Sequence, residues 1–354
     1  MEKEYTKRIL VTGGLGFIGS HIVRHLVNEH KDWRIFNLDC QTYAGNPDNV
    51  RDFEDKENYT LLDNDIRDAA TLGFLFERFR FTDVIHLAAE SHVDNSITGP
   101  RPFIETNIVG TFNLLEEARK RWGNEPGHKF YYFSTDEVFG FLDKDGESFT
   151  EENKLDPSSP YSASKACGDL LVKAYWKTFK LPVVISHMCN AIGPNQYPEK
   201  LVPATIQRIL NDEPIIVYDK GEQVREWIYT DDIVSAAMTV FEKGALGEAY
   251  NIGSGEEVQN FQLITNIINQ VVLKTTNGVE EYRDKYEKTL NKIKCVENAR
   301  PGHDFRYSIN HSKITNELGW VPKVGLLQAV TKTVDWYLEN QDWVKNIEKK
   351  KNEI

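Results

Sequence analysis

The sequence predicts an α/β fold: a doubly wound parallel sheet with a smaller α/β lobe. Three observations carry that prediction. Strand-like apolar runs alternate with helical patterns through the first half of the chain. A glycine-rich turn joins the first strand to the first helix. After about residue 190, prolines and glycines space out shorter elements. Strict alternation implies parallel strands joined by right-handed crossovers.

The first strand is read at Ile9–Thr12. Gly13-Gly14-Leu15-Gly16-Phe17-Ile18-Gly19 follows it and opens a helix over 17–30. In such a turn one glycine permits the bend, one the close approach of backbone to a pyrophosphate, and one the packing of helix on strand. Gly13, Gly16 and Gly19, with Phe17 and Ile18 at the helix start, are the residues expected to hold a dinucleotide. The second strand, Arg34–Asp39, ends in a carboxylate 20 residues after Gly19. Asp39 is placed to accept a ribose 2′-hydroxyl. A 2′-phosphate would be repelled there, and no Arg or Lys follows until Arg51. The reading is NAD rather than NADP, on a Rossmann-type sheet.

Further strands are expected at Thr60–Asp63, Asp83–Leu87, Lys129–Ser134 and Pro182–His187, with helices over 69–79, 104–122 and 161–179. Ligands on these sheets bind beyond the carboxyl ends of the strands. Asp65 and Ile66 fall there after the third strand, Ala88 after the fourth, and Thr135-Asp136-Glu137 after the fifth. Tyr161 and Lys165 lie four residues apart at a helix start and so project from one face. A nearby ammonium favours phenolate and draws the tyrosine pKa towards working pH.

In the second half a helix is expected over 201–211, a strand at Ile215–Tyr218 and a buried strand at 248–253. The stretch 274–292 reads as a solvated helix or loop. The division expected is an NAD-binding part, residues 1–189 with about 230–254, and a substrate-binding lobe, about 190–229 and 255–345. Residues 346–354 read as a polar tail that frays.

Composition narrows the function classes. The chain has 354 residues, 40% hydrophobic and 27% charged, enough for a large core. A net charge of −12 argues against a nucleic-acid partner. Four scattered cysteines, with no CxxC and no zinc-like spacing, point to a reducing compartment and no metal site. The charged start and the lack of a spanning apolar run lead to the expectation of a cytoplasmic protein with no membrane partner.

Beyond this point a resemblance adds detail. The glycine turn, Asp39, Ser134-Thr135 and Tyr161/Lys165 together resemble the extended short-chain dehydrogenase/reductase superfamily. Within it, residues from about 7 to 345 resemble the dTDP-glucose 4,6-dehydratases. The resemblance rests on Leu38-Asp39 with Thr42-Tyr43-Ala44-Gly45-Asn46, and on 86–94, which reads HLAAESHVD. It rests also on 105–111, on Ser134 to Val138, on Pro198-Glu199-Lys200-Leu201, and on Arg300-Pro301-Gly302-His303-Asp304.

The resemblance implies a nucleotide-diphosphate hexose as substrate and an internal hydride transfer through NAD with loss of water. Tyr161 would take the 4-hydroxyl proton, Thr135 would bond the 4-oxygen, Glu137 would remove the C5 proton, and protonated Asp136 would donate to the leaving 6-hydroxyl. Two adjacent carboxyls in opposite roles need split pKa values. On an extended strand they would face opposite ways, so a bend after Ser134 is required. Thr42 would join the cofactor site. Lys200, Arg225 and Arg300 would meet the diphosphate, with Asn190, Asn260 and His303 as neutral or switchable donors. His92, Glu199 and Leu201 would complete the substrate site, and Tyr218 would lie against the base. The helices 104–122 and 161–179 would pair with a second copy in a homodimer.

Some positions depart from the family pattern: Asn95, Ala191-Ile192, Phe139 and Cys40-Gln41. They bear on the substrate, so a UDP-glucose or other nucleotide-sugar 4,6-dehydratase stays open. A 4-epimerase needs no acid–base pair after Thr135. A non-catalytic NAD-binding protein would not need Tyr161 and Lys165.

Overall fold

The computed structural model describes residues 4–123, 125–297 and 304–353. Twelve strands lie in the described chain: β1 (Lys7–Thr12), β2 (Trp33–Asp39), β3 (Tyr59–Asp63), β4 (Asp83–His86), β5 (Lys129–Thr135), β6 (Val183–Met188), β7 (Asn190–Ile192), β8 (Ile215–Tyr218), β9 (Val224–Tyr229), β10 (Ala249–Ile252), β11 (Glu257–Gln259) and β12 (Ile293–Val296).

Seven of them form one sheet in the order β10-β6-β5-β4-β1-β2-β3, and every pairing in it is parallel. The order reverses at β1, between β2 and β4, and this switch point opens the crevice where such sheets bind ligands. Side chains alternate along the strands. Ile9 and Val11 of β1 join a core on one face with Ile35, Tyr131 and Phe133. Leu10 joins the opposite core with Phe36, Phe130 and Tyr132. Burial on both faces explains why these strands read as continuous apolar runs.

A second sheet has the order β11-β9-β7, and β8 pairs with β12. Ile192, Trp227, Leu263 and Val330 share a third core there. β9 links the two regions, because the helix Thr230–Lys243 follows it directly and packs on the helix Phe17–Glu29.

Three stretches differ from expectation. The helix expected over 104–122 starts at Arg101, and Ile104–Gly110 is wound as a wider π-helical turn. In the charged stretch, Val279–Leu290 is a helix on the outside of Asn260–Lys274. The expected frayed tail is instead the helix Gln341–Glu353, because its apolar Val344 and Ile347 are buried and Trp343 packs edge-on against Trp336. None of the helices in the described residues is long and apolar enough to cross a membrane.

Candidate active site

The glycine turn is shaped by steric demand. Gly13 has φ +73, and a Cβ there would meet the Ala88 backbone at 2.7 Å. A Cβ on Gly19 would lie 2.1 Å from the Gly13 carbonyl oxygen. Only glycine lets β1, β4 and the first helix come this close. Gly16 starts the helix Phe17–Glu29 with no side-chain cap, so its first-turn N–H groups are left to meet an anion.

A cleft runs along this turn. It is lined by Gly13, Gly16, Phe17, Ile18 and Gly19 at one end, and by Asp39 and Thr42 after β2. Asp65, Ile66 and Ala88 line it after β3 and β4, and Tyr161 and Lys165 close it. The structure thus brings together every residue expected to hold the dinucleotide. Asp39 accepts from the backbone N–H of Leu15 at 3.0 Å and of Gln41 at 2.9 Å. Burial raises its pKa against these two bonds. A cradle that a single Cβ would fill, facing a buried carboxylate, fits a dinucleotide with a free ribose hydroxyl.

Tyr161 and Lys165 are oriented by the start of their helix, Pro160–Phe179. Ser159 and Ser162 form a reciprocal cap: the Ser159 hydroxyl accepts from Ser162 N at 3.1 Å, and the Ser162 hydroxyl from Ser159 N at 3.0 Å. Pro160 occupies the first helical position. Lys165 donates to the Phe133 carbonyl at 2.5 Å and lies 4.3 Å from the Tyr132 ring centroid. Burial lowers its pKa to about 8, opposed by Asp169.

β5 ends at Thr135, and a 3₁₀ turn, Asp136–Phe139, follows at once. The Thr135 hydroxyl caps that turn, accepting from Glu137 N at 3.4 Å. The bend required after Ser134 is therefore present. The nearby Thr135 hydroxyl partly offsets the rise in the Tyr161 pKa. Asp136 is buried; one carboxyl oxygen accepts from Thr135 at 3.1 Å and the other has no partner. Burial, then the Glu137 and Glu226 carboxylates, push the Asp136 pKa well up and so favour its protonated form.

Tyr161 departs from expectation. Its pKa is raised, not lowered: burial dominates, and Glu137 and Asp136 add to it. Burial, with the Glu137 carboxylate next, opposes phenolate formation.

A second cleft shares Ser134 and Tyr161 with the first and adds Thr135 and Glu137. His92 and Asn190 line it, as do Glu199, Lys200 and Leu201 at the start of the helix Leu201–Leu210. Tyr218 at the end of β8, Arg225 on β9 and Asn260 complete the expected set. The expected Arg300 and His303 lie outside the described residues. Lys200 donates to Ser91 O at 3.1 Å, and the His92 ring lies 3.7 Å from the Glu199 carboxylate. The Asn190 amide nitrogen and the Asn260 amide oxygen are buried without a partner. Arg225 is more committed than its sequence suggests. It donates to the carbonyls of Val224, Phe305 and Asp304 and stacks 4.3 Å over Tyr307.

The comparisons with known proteins fall on this geometry. The pattern of the GDP-mannose 4,6 dehydratase family matches residues 10–333. A dTDP-glucose 4,6-dehydratase of Escherichia coli is 43% identical over 352 residues, covering 95% of each chain. The chain belongs to the dTDP-glucose 4,6-dehydratases. Two crystal structures of such dehydratases are each 38% identical to it. One, from Bacillus anthracis in complex with NAD, has a TM-score of 0.84 and covers 97% of this chain and 100% of its own. The other, from Streptomyces venezuelae with NAD bound, has a TM-score of 0.85 and covers 96% of this chain and 99% of its own.

In this dehydratase, sequence reasoning missed several residues around the site. Asn107 sits in the π-helical turn. Its side chain accepts from Glu90 N at 2.8 Å and donates to Glu90 O at 3.0 Å and to Ser164 Oγ at 2.8 Å. Asp169 accepts from Ser134 Oγ at 3.1 Å and pairs with His187 at 3.0 Å. Its place four residues after Lys165, on the same helix face, was the available signal. Trp227 lines the second cleft with its indole N–H unpartnered.

Proposed function

We propose that this dehydratase acts on dTDP-glucose, holding NAD in the first cleft and the nucleotide sugar in the second. The product is dTDP-4-keto-6-deoxyglucose. The observation that supports the reading is the capped turn after Thr135, from which Glu137 lines the same cleft as Tyr161 while Asp136, its pKa raised, lies buried next to it.

Gly13, Gly16 and Gly19 would bring backbone N–H groups to the NAD pyrophosphate, and Asp39 would take the adenosine ribose hydroxyl. When bound, NAD supplies the transient oxidising equivalent that an overall redox-neutral dehydration needs, and its positive ring favours a phenolate. Tyr161 takes the proton of the sugar 4-hydroxyl, and Thr135 holds the 4-oxygen. Glu137 removes the C5 proton once the neighbouring carbon is a ketone. Asp136 gives its proton to the departing 6-hydroxyl, so that water leaves. Both roles follow from environment: burial keeps Asp136 neutral at a pH where an ordinary carboxyl is charged. Lys200 and Arg225 would face the diphosphate, with Asn190 and Asn260 bonding the substrate through groups that are otherwise unpaired. We further propose that residues 1–189 with about 230–254 form the cofactor-binding part and about 190–229 with 255–345 the sugar lobe.

The enzyme is proposed to be a cytoplasmic homodimer. Ile104, Val109 and Phe112 on one helix, and Leu170 and Phe179 on its neighbour, are large apolar side chains left exposed on packed helices. A second copy would cover them.

The test is incubation with dTDP-glucose and UDP-glucose, followed by mass. Loss of one water with dTDP-glucose supports the reading. Loss only with UDP-glucose changes the base. An isobaric product indicates epimerisation, and an unchanged sugar with bound NAD a non-catalytic protein.

A further inference from the structure

The glycine turn is held from behind by a side chain that touches neither cleft. Both backbone groups of Leu15 are committed. Its N–H donates to Asp39, and its carbonyl accepts from Asn46 N at 3.0 Å and Asn49 Nδ2 at 2.8 Å. Asn49 is 1% exposed. Its Oδ1 accepts two further bonds: Asn195 Nδ2 at 3.1 Å and the indole Nε1 of Trp343 at 2.8 Å. Both lone pairs of that oxygen are therefore used. Asn195 precedes Gln196, which lines both clefts. Trp343 belongs to the C-terminal helix, which meets the same loop twice more, through Asn346 to Asp48 at 3.3 Å and Lys350 to Asn46 at 3.2 Å.

We propose that Asn49 is a positioning residue for the cofactor cleft, and that the C-terminal helix is the strap that holds it through Trp343. Asn49 joins three segments far apart in sequence at the back of one turn: the turn itself, the loop between the clefts, and the chain end. The turn's N–H groups are useful to a pyrophosphate only while their direction is fixed, and the two peptide groups on either side of Leu15 are fixed by these bonds. Loosening the strap makes the bound dinucleotide leave faster, while the reacting groups stay in place. This inference rests on the proposal that the first cleft holds NAD.

Two variants test it. Asn49→Asp keeps the acceptor for Asn195 and Trp343 but turns a carboxylate oxygen towards the Leu15 carbonyl. Trp343→Phe keeps an aromatic ring and removes the indole N–H with the five-membered part of the ring system. The readouts are the release rate of NAD from the full-length enzyme and the gain in melting temperature on adding NAD. Release is expected to rise about tenfold in Asn49→Asp and a fewfold in Trp343→Phe. In Trp343→Phe the gain in melting temperature on adding NAD, measured against that variant's own value without NAD, is smaller than in the wild type. If Asn49→Asp does not fold, Trp343→Phe decides alone. Wild-type release rates from folded variants would overturn the proposal. Failure of the wild-type enzyme to bind NAD would instead overturn the cofactor reading on which it rests.

Discussion

The Lys165 ammonium donates to the carbonyl oxygen of Phe133, two residues before Thr135 on β5. The cation beside the cofactor cleft and the strand that delivers the acid–base turn are thus one mechanical unit. Burial lowers the Lys165 pKa to about 8, and Asp169 opposes the fall. Below that pH the side chain is charged; above it the charge is lost. Turnover should decline as pH rises through about 8. Asp169→Asn removes the opposing charge, lowers the Lys165 pKa further, and moves the decline to lower pH. A pH–rate profile that is unchanged in Asp169→Asn would remove this electrostatic role.

Asp136→Asn mimics the neutral acid in shape but cannot donate the proton. Because the folded-state pKa is raised, wild-type stability is fully present at low pH and falls as pH climbs above the ordinary carboxyl range. The variant escapes that fall. Near pH 7 it should melt at the same temperature as wild type or higher, while dehydration slows by about 10²–10⁴-fold. Melting curves between pH 4 and 7, read beside turnover, check both. A variant less stable than wild type at pH 7 would mean that Asp136 is ionised.

Glu137→Gln should leave dTDP affinity within about twofold, yet slow exchange of the C5 proton with deuterated solvent by about 10²–10⁴-fold. Nuclear magnetic resonance of the sugar in D₂O follows the exchange directly. Exchange at the wild-type rate would take the base role away from Glu137.

Leu170→Glu places a charge on an exposed large apolar side chain of the helix Pro160–Phe179, 58% accessible. If two copies meet there, the buried charge disfavours association strongly. Light scattering should report a shift from dimer to monomer, with unchanged circular dichroism. A variant that stays dimeric would place the interface elsewhere.

Much of this architecture is legible in the amino-acid sequence, and the reason is burial. β1, β2, β5 and β6 are covered on both faces, so each is an apolar run with little ambiguity. The Gly13–Gly19 turn and Asp39 have a spacing tied to one ligand shape. β9 is not legible in that way, because Arg225 and Glu226 interrupt it. Glu226 is wholly buried and satisfied by the N–H groups of Gly255 at 2.8 Å and Ile309 at 3.0 Å. Nothing local announces partners so distant. The same holds for Asn49, whose two donors lie 146 and 294 residues away. The bend at Thr135 was a demand of the chemistry, met by a hydroxyl cap that the residue type permits but does not dictate. The raised Tyr161 pKa depends on how deeply the ring sits, which only the packed structure reveals.

The wide turn at Ile104–Gly110 has an evolutionary corollary. It amounts to one residue more than a regular helix would need, and that surplus aims Asn107 at Glu90 and Ser164. Deleting any residue from the stretch would yield better-wound backbone. It would also withdraw Asn107 from Glu90 and Ser164. Among descendants of this gene, point substitutions here should therefore be commoner than single-codon losses, even where the lost residue is itself dispensable.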